Sequence, residues 1–175
     1  EWIREIMSRA HGVIDDEQEV TEEHFRRNKV EAVTGIASFV NKNTVKIATP
    51  RGDHEVTAKY IVIATGTRPR RPGDIDFNGK TIFDSDSILT LQVQPRTMLV
   101  LGAGVIGCEY ASIFARMGVE VTLVDGRDEL LGSIDREIVD ALTKQFEKSG
   151  VKLKLSTKFE NLKSATDRDG RSVAT

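Results

Sequence analysis

One stretch of the sequence decides the fold, and it reads Met98-Leu99-Val100-Leu101-Gly102-Ala103-Gly104-Val105-Ile106-Gly107. Its apolar first half predicts a buried strand, and the GxGxxG motif that follows opens a predicted helix. In such a turn the first glycine permits the tight bend, the second lets a pyrophosphate approach the backbone, and the third lets the helix pack on the strand. The N-terminus of the helix offers N–H groups and a positive dipole end to phosphates. The stretch therefore predicts a loop that binds a dinucleotide, and its residues are Gly102, Ala103, Gly104, Val105, Ile106 and Gly107.

An acidic residue completes the pattern about 20 positions after the middle glycine. Asp125 ends the next predicted strand, where a carboxylate can accept hydrogen bonds from the 2′-hydroxyl of an adenosine ribose. Arg127 follows closely and can meet a 2′-phosphate instead, which would suit a site that accepts NADP(H). Plainer interpretations stay open: the glycines can serve packing alone, Asp125 can be an ordinary acid at the start of a loop, and Arg127 can face solvent.

The residues around this motif alternate between helix and strand patterns. Strands and helices in the order β-α-β-α-β predict a parallel sheet with right-handed crossovers. The predicted elements are a strand at 98–101, a helix at 105–117 closed by Gly118, a strand at 119–124, a helix at 134–148 closed by Gly150, and a strand at 151–155. This alternation predicts that the second half of the chain is a Rossmann-like α/β domain. A hairpin turn is also predicted near Asp169 and Gly170.

The first half of the chain follows different patterns. Helical spacing over 2–28 predicts one long helix or two shorter ones, and short β-rich runs after it predict an antiparallel meander. The runs are 32–40, 44–48, 54–58 and 60–64, and the last of them contains a fully apolar strand at 61–64. The prolines and glycines of 65–73 predict a boundary between domains, and a short capped helix is predicted at 84–89.

Composition excludes several classes of function. The chain has 175 residues with 25 basic and 27 acidic side chains, a net charge of −2, and this balance argues against a nucleic acid partner. No apolar run approaches the ~20 residues that cross a bilayer, so no membrane span is expected. A single cysteine allows neither an internal disulfide nor a Cys-rich metal cluster. We expect a cytoplasmic protein without a metal site.

Three segments resemble the flavoprotein disulfide reductase superfamily: 61–69 with its Ala-Thr-Gly motif, 84–89, and 102–114 with GxGxxGxE. The resemblance implies an internal fragment of a longer enzyme, with the C-terminal part of an FAD-binding domain at 1–72 and a truncated NAD(P)H-binding domain at 73–175. It implies that Thr65 and Gly66 lie near FAD. It also implies that Glu109 is the helix acid that pairs with a lysine beside the nicotinamide.

Within that superfamily, the resemblance is to members that transfer hydride between NADPH and NAD⁺ through FAD, of the si-specific type. It implies FAD, NAD(H) and NADP(H) as cofactors, a homodimer or higher homo-oligomer for the whole enzyme, and no catalytic residue in this segment. Two alternatives stay open: a disulfide reductase similar to dihydrolipoamide dehydrogenase, and a nucleotide-binding module without catalysis. The preference between NAD and NADP is open as well.

Overall fold

The computed structural model describes residues 2–166 and 172–174. The chain forms two compact units, one made of Glu1–Ser8 with Pro69–Thr175 and one made of Arg9–Arg68. Helix α1 spans Trp2–Arg27 without a break, so the helical pattern of the N-terminus belongs to one long helix. Its buried residues, Ile3 and Met7, belong to the core of the larger unit.

The smaller unit contains an antiparallel sheet. Its strands are β1 (Ile36–Asn41), β2 (Thr44–Thr49) and β3 (Gly52–Thr57), in the order β1-β2-β3. Asn43 shapes the first turn, because its backbone N–H donates to Asn41 Oδ1 at 2.9 Å. Polar turn residues and β-rich runs thus produce the meander that the sequence predicts.

The predicted strand at 60–64 is wrong. The segment forms no strand, and no other strand of the described chain pairs with it. Tyr60, Val62 and Ile63 are 80%, 87% and 70% exposed. A strand needs a neighbour for its backbone N–H and C=O groups, and an apolar pattern alone does not supply one.

A short 3-10 helix at Ser87–Thr90 stands where the sequence predicts a capped helix at 84–89. The carboxylate of Asp84 accepts hydrogen bonds from the backbone N–H groups of Asp86 and Ser87, at 3.1 and 2.7 Å. The Asp84 carboxylate thus binds the N–H groups at the start of the turn, while the N-cap itself, Asp86, makes no side-chain capping bond and the helix begins later than predicted.

The larger unit holds the predicted parallel sheet. Strands β4 (Thr97–Leu101), β5 (Glu120–Val124) and β6 (Lys152–Lys154) lie in the order β4-β5-β6. Helix α2 (Val105–Arg116) connects the first two strands and helix α3 (Arg136–Lys148) connects the last two. These elements confirm the β-α-β-α-β prediction.

Helix α3 begins two residues after the predicted start at Ile134, because Asp135 caps it. The Asp135 side chain accepts a hydrogen bond from the Glu137 N–H at 2.9 Å, which satisfies one of the free donors of the first turn.

A two-stranded antiparallel pair follows, formed by β7 (Ser164–Thr166) and β8 (Ser172–Ala174). The predicted turn near Asp169 and Gly170 lies outside the described residues.

The core of the larger unit lies between the sheet and its helices. Its most deeply buried large side chains come from α2, from β5 and from the loop after β5: Phe114, Val121, Leu123 and Leu130. Burying one such side chain stabilises the fold by roughly 1.5–3 kcal/mol. This packing fixes the carboxyl ends of β4 and β5, where the glycine loop begins.

Candidate functional site

The three glycines of the loop after β4 have three different structural situations. Gly102 has a φ of +106°, a conformation that favours glycine. A Cβ on Gly107 would lie 1.8 Å from the carbonyl oxygen of Gly102, so the fold requires glycine there as well. The tight turn explains the glycine at Gly102, and the close approach of α2 to β4 explains the glycine at Gly107.

Gly104 differs from the other two, because nothing in the fold requires a glycine at this position. Its φ of −79° and ψ of −175° suit any residue, and no described atom lies within 4 Å of the place that its Cβ would take. Gly104 is the N-cap of α2, and no described side chain caps this helix. The open space therefore lies directly in front of the N–H groups of the first turn.

Asp125 closes the loop from the end of β5. Its Oδ2 accepts from the Ala103 N–H at 2.6 Å and from Arg127 Nη2 at 2.7 Å. Its Oδ1 accepts from the Arg127 N–H at 2.8 Å and from Arg127 Nε at 3.0 Å. A carboxylate has about four lone-pair sites, and these bonds occupy them.

These donors hold the pKa of Asp125 well below its usual range. The Arg127 side chain has the largest effect, and the N–H groups of Arg127 and Ala103 add to it. The same ion pair raises the pKa of Arg127. Asp125 and Arg127 are therefore both charged at neutral pH, and they largely neutralise one another.

A cleft of about 370 Å³ opens beside this pair at the carboxyl ends of β4 and β5. In open α/β sheets this edge is where ligands bind. The cleft is lined by Leu101, Gly102, Val124, Asp125, Gly126, Thr157, Lys158 and Phe159.

Sequence reasoning missed the last three of these residues. The turn after β6 brings them to the cleft, because the Thr157 N–H donates to the Asp125 carbonyl at 2.9 Å and the Ser156 N–H donates to the Arg127 carbonyl at 2.7 Å. Ser156 adopts a φ of +52° in this turn. The signal that could have found them is their position just after the third parallel strand, at the edge of the sheet where the motif residues also lie.

The loop after Arg127 supports the glycine turn from the other side. The Leu131 N–H donates to the Ala103 carbonyl at 2.9 Å, and Leu131 itself has a φ of +48°. Both backbone groups of Ala103 are therefore bonded, one to Asp125 and one to Leu131, and the turn is fixed before any ligand arrives.

The remaining candidates lie outside the cleft. Glu109 is exposed on α2. Thr65 and Gly66 are exposed residues of the smaller unit, and Gly66 has a φ of +67°. Cys108 is 6% exposed, its Sγ–H donates to the Ala103 carbonyl, and burial raises the pKa of its thiol. Cys108 is therefore a small residue of the hydrophobic core.

Over residues 2–166 and 172–174, no group of three or more His, Cys, Asp or Glu side chains lies close enough to hold a metal ion. No helix of these residues has the length and apolar character that crossing a membrane demands.

Comparison with protein families gives a match over residues 2–175 to the pyridine nucleotide-disulphide oxidoreductase family. The soluble pyridine nucleotide transhydrogenase of Pseudomonas paraeruginosa is 43% identical over 159 residues, which are 90% of this chain and 34% of that protein. The enzyme of the same name from Vibrio vulnificus is 42% identical over 163 residues, 93% of this chain and 35% of that protein. This chain spans about a third of the length of these curated relatives.

Two solved structures resemble the fold. LpdA from Mycobacterium tuberculosis matches with a TM-score of 0.85 at 22% identity, over 98% of this chain and 40% of that one. The HOCl-induced flavoprotein disulfide reductase RclA from Escherichia coli matches with a TM-score of 0.65 at 26% identity, over 86% of this chain and 38% of that one. The chain, with its helix, antiparallel meander and parallel sheet, therefore shares the fold of the matched parts of these two structures.

Proposed function

Because the chain belongs to the pyridine nucleotide-disulphide oxidoreductase family, we propose that it is the dinucleotide-binding part of an FAD-dependent oxidoreductase. The family and its transhydrogenase members imply FAD and NAD(P)(H) as cofactors. The proposed reaction of the whole enzyme is si-specific hydride transfer between NADPH and NAD⁺. Identity above 40% to soluble transhydrogenases supports this reaction over others of the family.

Gly104 carries the proposal for this segment. The fold requires glycine at Gly102 and Gly107 but not at Gly104. We infer that Gly104 lacks a side chain because a ligand occupies the space in front of it. A pyrophosphate in the open space would accept hydrogen bonds from the first-turn N–H groups of α2 and would meet the positive end of its dipole.

Each of the other candidate residues contacts one part of the dinucleotide or of FAD in this proposal. The fixed turn at Ala103, with Val105 and Ile106 in the first turn of α2, holds the pyrophosphate, and the cleft beside Asp125 and Arg127 holds the adenosine. By resemblance, Glu109 lies near the nicotinamide, and Thr65 and Gly66 contact FAD through their backbone. FAD, when bound, supplies the redox chemistry, and this chain positions the dinucleotide against it.

We also propose that residues 1–72 belong to an FAD-binding domain and residues 73–175 to an NAD(P)H-binding domain. By resemblance, the whole enzyme is a cytoplasmic homodimer or higher homo-oligomer, and its catalytic centre lies outside this segment.

A disulfide reductase is the second candidate function, because RclA is a flavoprotein disulfide reductase and is 26% identical to this chain. The only cysteine of the chain, Cys108, is buried, so any redox-active disulfide would have to lie elsewhere in the protein. Activity assays of the whole enzyme separate the candidates: transhydrogenation without a disulfide substrate supports the first, and NAD(P)H-dependent reduction of a disulfide supports the second.

A titration of the chain with NADH tests the role of Gly104. We expect Gly104→Val to abolish measurable binding, because its side chain would fill the space that the pyrophosphate needs. The free energy of unfolding should fall by only about 1 kcal/mol, the cost of a poor N-cap.

Gly73→Val is the matched control. Gly73 also has open space around its Cβ position and an ordinary φ, in the same unit but away from the cleft. The control should bind NADH as the parent chain does. Equal affinity of Gly104→Val and Gly73→Val for NADH would remove the dinucleotide assignment.

A further inference from the structure

We propose that Lys158 selects the cofactor by binding the 2′-phosphate of NADP(H) at the adenosine end of the cleft. This inference rests on the proposed function, because it requires that the cleft beside Asp125 receives the adenosine of a dinucleotide. It goes further by assigning the choice between NADP(H) and NAD(H) to a residue outside the glycine motif.

The charges that line the cleft give the first argument. Asp125 and Lys158 are the charged side chains among the lining residues. Arg127 already neutralises Asp125 through two side-chain hydrogen bonds. Lys158 has no ion pair with any carboxylate in the part of the chain that the structure describes. Counted over the lining residues and Arg127, the cleft therefore keeps one positive charge, which favours a ligand with an additional anionic group.

The position of Lys158 gives the second argument. The Thr157 N–H donates to the Asp125 carbonyl at 2.9 Å, so the backbone next to Lys158 is tied to the acid at the end of β5. The stem of Lys158 lies beside Gly126, with its Cγ 3.8 Å from the place that a Cβ on Gly126 would take. The stem of Lys158 therefore starts beside Gly126, the neighbour in the chain of the carboxylate that a ribose would approach.

The neighbouring aromatic ring gives the third argument. Phe159 also lines the cleft and is 48% exposed. An exposed aromatic ring offers a flat apolar surface on which a base can stack. The ring of Phe159 can stack on the base, and the ammonium of Lys158 can bind the phosphate. The two side chains therefore match the two ends of a phosphorylated adenosine.

Arg127 is the obvious alternative, and its own bonds argue against it. Its guanidinium uses Nε and Nη2 to hold Asp125, and its N–H binds the same carboxylate. If Nε and Nη2 of Arg127 contacted a phosphate, these hydrogen bonds to Asp125 would have to break. The ammonium of Lys158 is a point charge on a flexible stem, and it can reach a phosphate without disturbing the pair.

The test is a pair of dissociation constants, for NADPH and for NADH, measured by isothermal titration at one low ionic strength. We expect Lys158→Ala to weaken NADPH binding by about tenfold or more, the loss of one charge-assisted hydrogen bond. NADH affinity should change by less than about twofold, a difference too small for the loss of such a bond. Lys158→Arg, which keeps the charge, should keep the NADPH affinity close to that of the parent chain.

Lys144→Ala is the charge-matched control, because Lys144 is an exposed residue of α3 that does not line the cleft. It should leave both dissociation constants unchanged. Circular dichroism of each variant checks that the fold is intact.

The outcomes separate the two proposals. If neither dinucleotide binds the parent chain, the proposed function fails and the inference fails with it. If NADH binds but Lys158→Ala leaves the NADPH/NADH affinity ratio unchanged, the inference is wrong while the proposed function stands. If Arg127→Ala lowers that ratio and Lys158→Ala does not, Arg127 binds the 2′-phosphate and the inference about Lys158 is wrong.

Discussion

The ion pair between Asp125 and Arg127 is the residue-scale feature that sets the charge presented beside Lys158 in the cleft. The carboxylate already accepts bonds from Ala103 and Arg127 on both oxygens. A ribose 2′-hydroxyl therefore competes with Arg127 for the acid, and Arg127 screens a 2′-phosphate bound at Lys158 from the negative charge of Asp125. The sequence predicted both residues from their spacing but could not predict that they bind each other, because that depends on the turn that carries them.

Two substitutions test this competition. Asp125→Asn frees the guanidinium and removes a repelling charge, so we expect the NADPH/NADH affinity ratio to rise. Arg127→Ala frees the carboxylate for the ribose, and the ratio should fall. A charge-assisted hydrogen bond contributes about 1.5–3 kcal/mol, so each change should be about tenfold or more.

Dissociation constants for both cofactors at one fixed ionic strength measure these changes. An unchanged ratio for Arg127→Ala would make Arg127 a structural loop residue that plays no part in recognition.

The lowered pKa of Asp125 predicts a pH dependence of stability. In the unfolded chain this carboxyl titrates near its ordinary value of about 3.9, whereas Arg127 and the N–H donors keep it ionised to lower pH in the folded state. Its contribution to the free energy of unfolding is therefore complete above about pH 5 and is lost as the pH falls through the folded pKa.

Urea titrations of the parent chain and of Asp125→Asn measure this contribution. The difference in unfolding free energy should be constant between about pH 5 and 8 and should shrink below about pH 4. A difference that grows on acidification would contradict the assignment of the pKa shift to this pair.

At the scale of elements, the contact between α2 and β4 depends on Gly107. A Cβ there would lie 1.8 Å from the Gly102 carbonyl oxygen, which is backbone and cannot rotate away. We expect Gly107→Ala to push the helix off the strand and to reduce the free energy of unfolding by about 1–3 kcal/mol or more.

Chemical denaturation measures this loss, with Gly73→Ala as the control because its Cβ position is open. NADH binding by Gly107→Ala should weaken as well, since the displaced helix carries the N–H groups of the first turn. Equal stability of the two alanine variants would show that the close approach is not required.

The elements also show how far sequence reasoning reaches. The β-α-β-α-β order was predictable because each strand and helix has its own local pattern of apolar residues and its own terminating glycine or cap. The prediction of a strand at 60–64 was wrong, because a strand depends on a partner elsewhere in the chain and a local apolar pattern does not reveal whether one is present. Lys158 and Phe159 were missed for a related reason: hydrogen bonds between distant turns bring them to the cleft, and their local sequence carries no motif.

At the scale of the whole molecule, the chain spans about a third of its curated relatives, and its smaller unit exposes many apolar side chains. Ile36 is 79% exposed and Val62 is 87% exposed. Exposed apolar patches of this kind mark surfaces that other protein segments cover.

We therefore expect the purified chain to self-associate through this surface. Light scattering after gel filtration should show species larger than a monomer, and Val62→Lys should shift the distribution toward the monomer. A parent chain that stays monomeric at high concentration would contradict this expectation.

The purified chain should also lack bound flavin. It has one GxGxxG motif, which we assign to the nicotinamide dinucleotide, and only Thr65 and Gly66 are expected to contact FAD. The chain should therefore be colourless and without transhydrogenase turnover. A flavin absorption band that survives gel filtration would show that the chain holds FAD on its own.

The central claim is that the glycine loop and the cleft beside it bind a nicotinamide dinucleotide. Its most direct test is the change in backbone amide chemical shifts of the isotope-labelled chain on titration with NADH. We predict saturable shifts confined to the first turn of α2, to Gly126 and to Thr157, Lys158 and Phe159, while the amides of β1, β2 and β3 keep their positions. Saturable shifts that leave the first turn of α2 unchanged, or no shifts at all, would contradict the claim.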